Sequence, residues 1–295
     1  MNPTNTIPHT AGETERDSSS ILLISDLAGY GKVATAAMLP ILSYMEYQVF
    51  NLPTMLISNT FRYPKSCSLD TTEYIRQVLP VWKELGFHFD AIATGYMVSV
   101  RQARIVADYC KEQAALGTAI YVDPVMGDSG KLYNGVTDEA VRAMREMISV
   151  ADLIYPNYTE ACYLTDTPYR KDGVTEREIH ELIDGLRKTG ARSVIITSLK
   201  IKDEHSGQHA GSAVAGYNAD NDEFFLLPYT EIPTELPGTG DIFSAVLIAH
   251  LLHHEPLQQC TQKAMDAVYQ LIELSRGLKD KNCGIPLENY LHVVR

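Results

Sequence analysis

Apolar residues in this chain come in short continuous runs, each followed by a polar or glycine-marked turn and then by a longer stretch of helical spacing. The runs at 20–25, 47–55, 90–94, 119–122, 153–155 and 193–197 have the length and composition of strands buried on both faces. Between them, residues 33–45, 71–85, 100–116 and 176–189 have the spacing of helices. Strand and helix in alternation predict right-handed crossovers and a mostly parallel sheet covered by helices on both sides. The pattern changes after residue 200. Residues 212–217 and 223–229 flank the polar stretch 218–222, which predicts an antiparallel hairpin at the sheet edge. Two helices, 241–253 and 257–277, close the chain, and a tail turns at Gly284-Ile285-Pro286.

Two polar stretches stand outside this alternation. Residues 58–64 read as a loop or an excursion from the sheet edge. Residues 200–211, with Gly207 and Gly211, are expected to be mobile and to order as a lid over a bound nucleotide. There is no internal repeat and no interdomain linker, so residues 20–295 are expected to form one α/β domain behind a flexible polar tail at 1–19.

Ligands of parallel sheets bind at the carboxyl ends of the strands. This rule singles out Ser25, Tyr96, Asp123, Asn157 and Thr197, each just beyond an apolar run. The loop from Asp123 to Tyr133 carries a second carboxylate, Asp128; oxygen ligands on a flexible loop suit Mg2+, whereas Asp123 alone would equally well start a turn before Pro124. Glu160 enters a short helix, where it either holds metal-bound water or serves the helix dipole as a first-turn acid.

The strongest local signal is Glu235-Leu-Pro-Gly-Thr-Gly-Asp241, which runs directly into the apolar stretch 242–252. Small residues opening a helix let the backbone approach a ligand, and the free N–H groups of the first turn make an anion site. Asp241 sits among those donors. It either caps the helix or takes a proton from a hydroxyl approaching the anion. Gly29-Tyr30-Gly31-Lys32 fits neither the Walker loop nor the dinucleotide fingerprint.

Charge and cysteine usage narrow the class. A net charge of −12 over 295 residues argues against a nucleic-acid groove or an anionic membrane surface, so a phosphate site must be local, built of N–H groups and metal. The five cysteines show no C-x-x-C spacing, which fits reduced thiols in a cytoplasmic protein and speaks against structural zinc. No apolar run approaches the roughly 20 residues a bilayer requires.

Taken together, these motifs resemble the pyridoxal kinase family of the ribokinase-like superfamily, over nearly everything from residue 20 onward. The resemblance rests on Gly238-Thr239-Gly240-Asp241, on Asp123-Pro-Val-Met-Gly-Asp128 followed by Tyr133, on Pro156-Asn157 with Glu160, on Thr197-Ser198, on Ser58-Asn59 and on Thr94-Gly95-Tyr96. It implies a three-layer α/β/α sandwich and ATP-dependent phosphorylation of the hydroxymethyl group of a B6 vitamer. It further implies Asp241 as base and Gly238, Thr239 and Gly240 as the anion hole. Asp123, Asp128, Tyr133, Asn157, Glu160, Thr197 and Ser198 are implied for ATP, with Asp128 and Glu160 for its metal. Ser25, Ser58, Asn59 and Tyr96 are implied for the substrate. Mg2+, potassium and a homodimer are implied as well. Asp26, Thr60 and Phe61 depart from the family pattern, in which His stands at the first two places and Thr at the third. All three fall on the substrate side, and hydroxymethylpyrimidine kinases share the nucleotide half. A protein that binds pyridoxal phosphate without turnover is the alternative from another class.

Overall fold

The computed structural model describes residues 19–203 and 208–295. The expected tail lies outside these residues except for Ser19. In chain order the elements are β1 (Ser20–Ile24), β2 (Leu27–Ala28), α1 (Thr35–Tyr44), β3 (Gln48–Asn51), β4 (Met55–Ile57), β5 (Ser68–Asp70), α2 (Thr72–Glu84), β6 (Ala91–Thr94), α3 (Val100–Ala114) and β7 (Ala119–Val122). There follow β8 (Gly127–Asp128), β9 (Lys131–Leu132), α4 (Asp138–Ile148), β10 (Leu153–Ile154), α5 (Tyr158–Thr165), α6 (Glu176–Lys188), β11 (Ser193–Lys202), β12 (His209–Asn218), β13 (Glu223–Tyr229), α7 (Thr239–Leu252) and α8 (Leu257–Ser275).

Eight strands form the main sheet in the order β13-β12-β11-β10-β7-β6-β1-β3. The six strands from β11 to β3 pair in parallel, and β12 and β13 extend them as the antiparallel edge hairpin. Alternate residues of each strand enter two separate cores, as the period of two requires. Leu22, Ile24, Ile92, Ile120, Ile154 and Val194 face α2 to α6, whereas Ile21, Leu23, Ala91, Ala93, Leu153 and Ile195 face α1, α7 and α8. The result is a three-layer α/β/α sandwich. Helix α7 is buried along most of its length, which is why it is apolar all round instead of amphipathic.

Two sequence expectations are corrected, and one helix is added. The run 47–55 is two strands in different sheets, because Pro53 interrupts the ladder and the chain leaves β3 to join a small sheet of order β2-β4-β5. Residues 200–211 are not a loop throughout: Lys200 pairs with Ser212, Ile201 with Gly211 and Lys202 with His209, so both flanks are strand. Residues 204–207, the centre of the expected lid, lie outside the described residues. Helix α4, a capped amphipathic helix opened by Thr137, was not anticipated at all. No helix among the described residues is long and apolar enough to cross a membrane, and all five cysteines are free thiols.

Candidate active site

At the carboxyl end of the sheet lies a cleft of about 490 Å³. It gathers residues delivered by separate elements: Asp123 after β7, Asp128 on β8, Asn157 and Glu160 at the start of α5, Thr197 and Ser198 within β11, and Gly238 to Asp241 at the start of α7. Tyr133 lines it too.

The start of α7 explains its own sequence. Gly238, the residue preceding the helix, has φ 88°, and a Cβ there would lie 2.0 Å from the carbonyl oxygen of Lys32. Only glycine fits that position. No side chain caps this helix end, and its first backbone closure runs from Ile242 N–H to Gly238 O at 3.0 Å. The N–H groups of Thr239, Gly240 and Asp241 therefore lack backbone acceptors within the helix, and a Cβ on Gly240 would meet open space. The Asp241 carboxylate accepts its own N–H in the first turn. This partly buried group also accepts the amide of Ala34, and burial together with the charge of Asp26 raises its pKa to about 7. Ala34 holds that amide in place with φ 48° and ψ −133°, a conformation that costs a non-glycine residue roughly 1–3 kcal/mol.

On the other side of the cleft, α5 opens with a capping box. Asn157 Oδ1 accepts Glu160 N–H at 3.0 Å, and Glu160 Oε2 accepts Asn157 N–H at 2.9 Å. Glu160 Oε1 accepts Met126 N–H at 2.9 Å, tying the helix to the Asp123 loop, and Asn157 Nδ2 donates to Gly127 O at 2.8 Å. Of the two readings of Glu160, the first-turn acid is seen directly, in the capping box. Both of its oxygens already accept N–H groups, so further binding would run through their remaining lone pairs or through water.

Asp123 receives only a long contact, 3.4 Å, from Ser244 Oγ, which also donates to Gly240 O at 2.9 Å. Burial raises its pKa well above the usual carboxylate range, and the charges of Glu160 and Asp241 push the same way. Glu160 is raised as well, by burial first. Hard oxygen donors that repel one another at the base of a cleft are the donor set a small divalent cation such as Mg2+ requires. The residues fit the ion.

A bulge between Ile196 and Leu199 delivers Thr197 and Ser198 to this rim, with Ser198 at φ 59°. The four substrate-side residues are not brought into the cleft itself. Ser58 Oγ donates to Asn59 Oδ1 and accepts Cys67 N–H, and Asn59 Nδ2 donates to Lys65 O, so both shape their own loop. Ser25 and Tyr96 are linked to Asp241 through Asp26. Ser25 Oγ is 3.5 Å from Asp26 Oδ1, and Asp26 is close enough for its charge to raise both Tyr96 and Asp241. Burial lifts Asp26 to about 6.

Among the cleft residues that sequence reasoning missed are Ser244, Tyr155 and Arg62. Ser244 carried a findable signal, being one helical turn after Asp241. Tyr155 reads as the end of an apolar strand, and Arg62 as part of a polar loop; neither had any.

The sequence profile of the phosphomethylpyrimidine kinase family matches residues 51–285. A curated pyridoxine/pyridoxal/pyridoxamine kinase of Bordetella avium is 30% identical over 258 residues, covering 84% of this chain and 82% of that one. Among solved structures, a Bacteroides thetaiotaomicron protein provisionally assigned as a phosphomethylpyrimidine kinase, crystallised with pyridoxal, is 36% identical with a TM-score of 0.86. The likeness covers 94% of this chain and 96% of that one. The pyridoxal kinase of Lactobacillus plantarum is 28% identical with a TM-score of 0.81, over the same shares of the two chains. The chain belongs to the phosphomethylpyrimidine kinase family and, within it, to the pyridoxal kinases of the ribokinase-like superfamily.

Proposed function

We propose that this protein transfers the γ-phosphoryl group of ATP to the 5′-hydroxymethyl group of pyridoxal, pyridoxamine or pyridoxine, with Asp241 as the general base. The observation that carries the reading is the juxtaposition at α7. Uncapped N–H donors stand beside a carboxylate whose pKa of about 7 suits proton abstraction near neutral pH. Phosphoryl transfer demands mainly alignment and charge neutralisation. Thr239, Gly240 and Asp241 N–H groups hold the transferring phosphoryl oxygens. The Asp241 carboxylate, held by the Ala34 amide, accepts the proton of the attacking hydroxyl.

Asp128 and Glu160, with Asp123 nearby, would hold Mg2+, which when bound would supply charge neutralisation on the phosphates. Asn157, Thr197, Ser198 and Tyr133 line the nucleotide side, and Ser25 and Tyr96 lie on the side of the vitamer ring, with Ser58 and Asn59 shaping its loop. Potassium is part of the proposal as a monovalent activator. The small sheet sets Leu56 opposite Leu69 and Leu27 opposite Leu56, with Leu56 and Leu69 exposed. We assign the homodimer to this row, and a monomeric mass for Leu56→Asp beside a dimeric mass for the parent, by light scattering, is the expected result.

The deciding assay is incubation of the protein with pyridoxal and MgATP. Catalytic formation of pyridoxal phosphate supports the proposal; bound vitamer without turnover would support a carrier in its place. The phosphomethylpyrimidine kinase profile match gives a second reading, hydroxymethylpyrimidine as acceptor. A higher kcat/KM for the pyrimidine than for every B6 vitamer would establish it.

A further inference from the structure

The cleft that is to receive a polyphosphate is lined by four carboxylates, those of Asp123, Asp128, Glu160 and Asp241. Among the described residues lining it, Arg62 alone carries a cationic side chain. Arg62 does not come from the nucleotide half. It sits on the loop that leaves β4 on the substrate side, five residues beyond Ile57, and reaches across to the segment that precedes the glycine turn. There its Nη1 and Nη2 lie 3.2 and 3.3 Å from Glu235 Oε2, three residues before Gly238.

That ion pair is a weak anchor. Both side chains are exposed, Arg62 by 51% and Glu235 by 82%, and both guanidinium nitrogens share one carboxylate oxygen in place of a two-oxygen fork. Exposed pairs of this kind contribute little, whereas a guanidinium facing phosphate makes charge-assisted, bidentate bonds with better geometry. The loop beneath Arg62 is firmly built. Thr60 Oγ1 donates to Asn282 O at 2.7 Å, Tyr63 OH to Asp280 Oδ2 at 2.5 Å, and Asn59 Nδ2 to Lys65 O at 2.9 Å. The backbone is therefore fixed while the side chain is held loosely at the cleft mouth.

We propose that Arg62 is a phosphate-binding residue supplied from the substrate-side loop: on nucleotide binding its guanidinium leaves Glu235 and engages the terminal phosphate of ATP. It would compensate the net negative lining of the cleft and link the loop that faces the acceptor to the group being transferred. The inference rests on the kinase reading, but its test does not require turnover.

The measurement is the affinity of the full-length protein for MgADP and for the magnesium complex of a non-hydrolysable ATP analogue, by calorimetry. Arg62→Ala should weaken the ATP analogue about tenfold or more and leave ADP within about twofold, since only the analogue carries the third phosphate. Arg62→Lys keeps the charge without the fork and should recover part of the loss. Glu235→Gln breaks the same ion pair but frees Arg62, so it should bind the analogue as well as the parent or more tightly. If the pair merely braces the loop, Glu235→Gln will behave like Arg62→Ala; that result, or an equal loss of ADP and ATP analogue, overturns the proposal. A parent protein that binds both nucleotides yet phosphorylates no vitamer would overturn the kinase reading and leave this comparison decisive for Arg62.

Discussion

A Cβ on Gly238 would fall 2.0 Å from the carbonyl oxygen of Lys32. The turn that opens α7 is thus packed against the loop that opens α1, and the anion site and the residues around Ala34 are one unit. Gly238→Ala must either strain a backbone at φ 88° or push the two loops apart. The expected cost is about 1–3 kcal/mol, lowering the melting temperature by several degrees, with phosphoryl transfer lost together with it. An unchanged melting temperature would mean that the turn is not held against Lys32.

Asp241→Asn keeps the volume and the helix end but cannot accept a proton. The expected result is melting at or above the parent's near neutral pH, retained nucleotide affinity and a kcat lower by about 10² or more. A kcat near that of the parent would remove Asp241 from the chemistry.

The pKa of Asp241, about 7, gives a pH dependence with a definite sign. The carboxylate must be ionised to act, so log kcat/KM should fall as pH drops below about 7 and level off above it. Asp26→Asn removes a negative charge that raises Asp241, so it should move this acid limb to lower pH. Titration of the rate at several pH values checks both statements.

Asp26 also makes a stability prediction. Its folded pKa, about 6, lies above the ordinary 3.8, so the folded state holds a proton that the unfolded chain releases between those values. The stability contributed by protonated Asp26 is present below about pH 4 and lost as pH rises through about 6. Asp26→Asn should therefore exceed the parent by roughly 1–3 kcal/mol at about pH 8 and by almost nothing at about pH 4. Urea denaturation at the two pH values checks this, and a gain independent of pH would contradict it.

Glu160 and Asp128 should separate structure from metal binding. Glu160→Gln places an amide NH2 where one oxygen accepts Met126 or Asn157 N–H, at a cost of about 1–3 kcal/mol. Asp128 is exposed, so Asp128→Asn should leave melting unchanged yet raise the Mg2+ concentration for half-maximal rate by about tenfold. Equal Mg2+ requirements for parent and Asp128→Asn would remove Asp128 from the metal site.

Much of this molecule was legible along the chain because the signals are local. The runs that became β1, β6, β7 and β10 are apolar on both faces, so strand length alone marked them, and the carboxyl-end rule then pointed at Asp123, Asn157 and Thr197. The glycine turn announced itself through residues three apart. What no local pattern could supply was which loops meet. Pro53 sends the chain out of the main sheet, a step whose outcome depends on pairing with β2 and β5 far along the sequence. The flanks of 200–211 are polar yet lie in strands, because the pairing of β11 with β12 satisfies their backbone whatever their side chains prefer. That the Glu160 carboxylate both caps α5 and ties it to the Asp123 loop became legible only once that loop was seen to lie against α5. Arg62, finally, is an ordinary loop arginine by sequence; contact across more than a hundred and seventy residues with Glu235 puts it at the cleft. Sequence determined the periodic elements and the donors at their ends, since those depend on neighbours in the chain. The tertiary structure alone decided which charges share a cavity, since electrostatic coupling depends on distance through space.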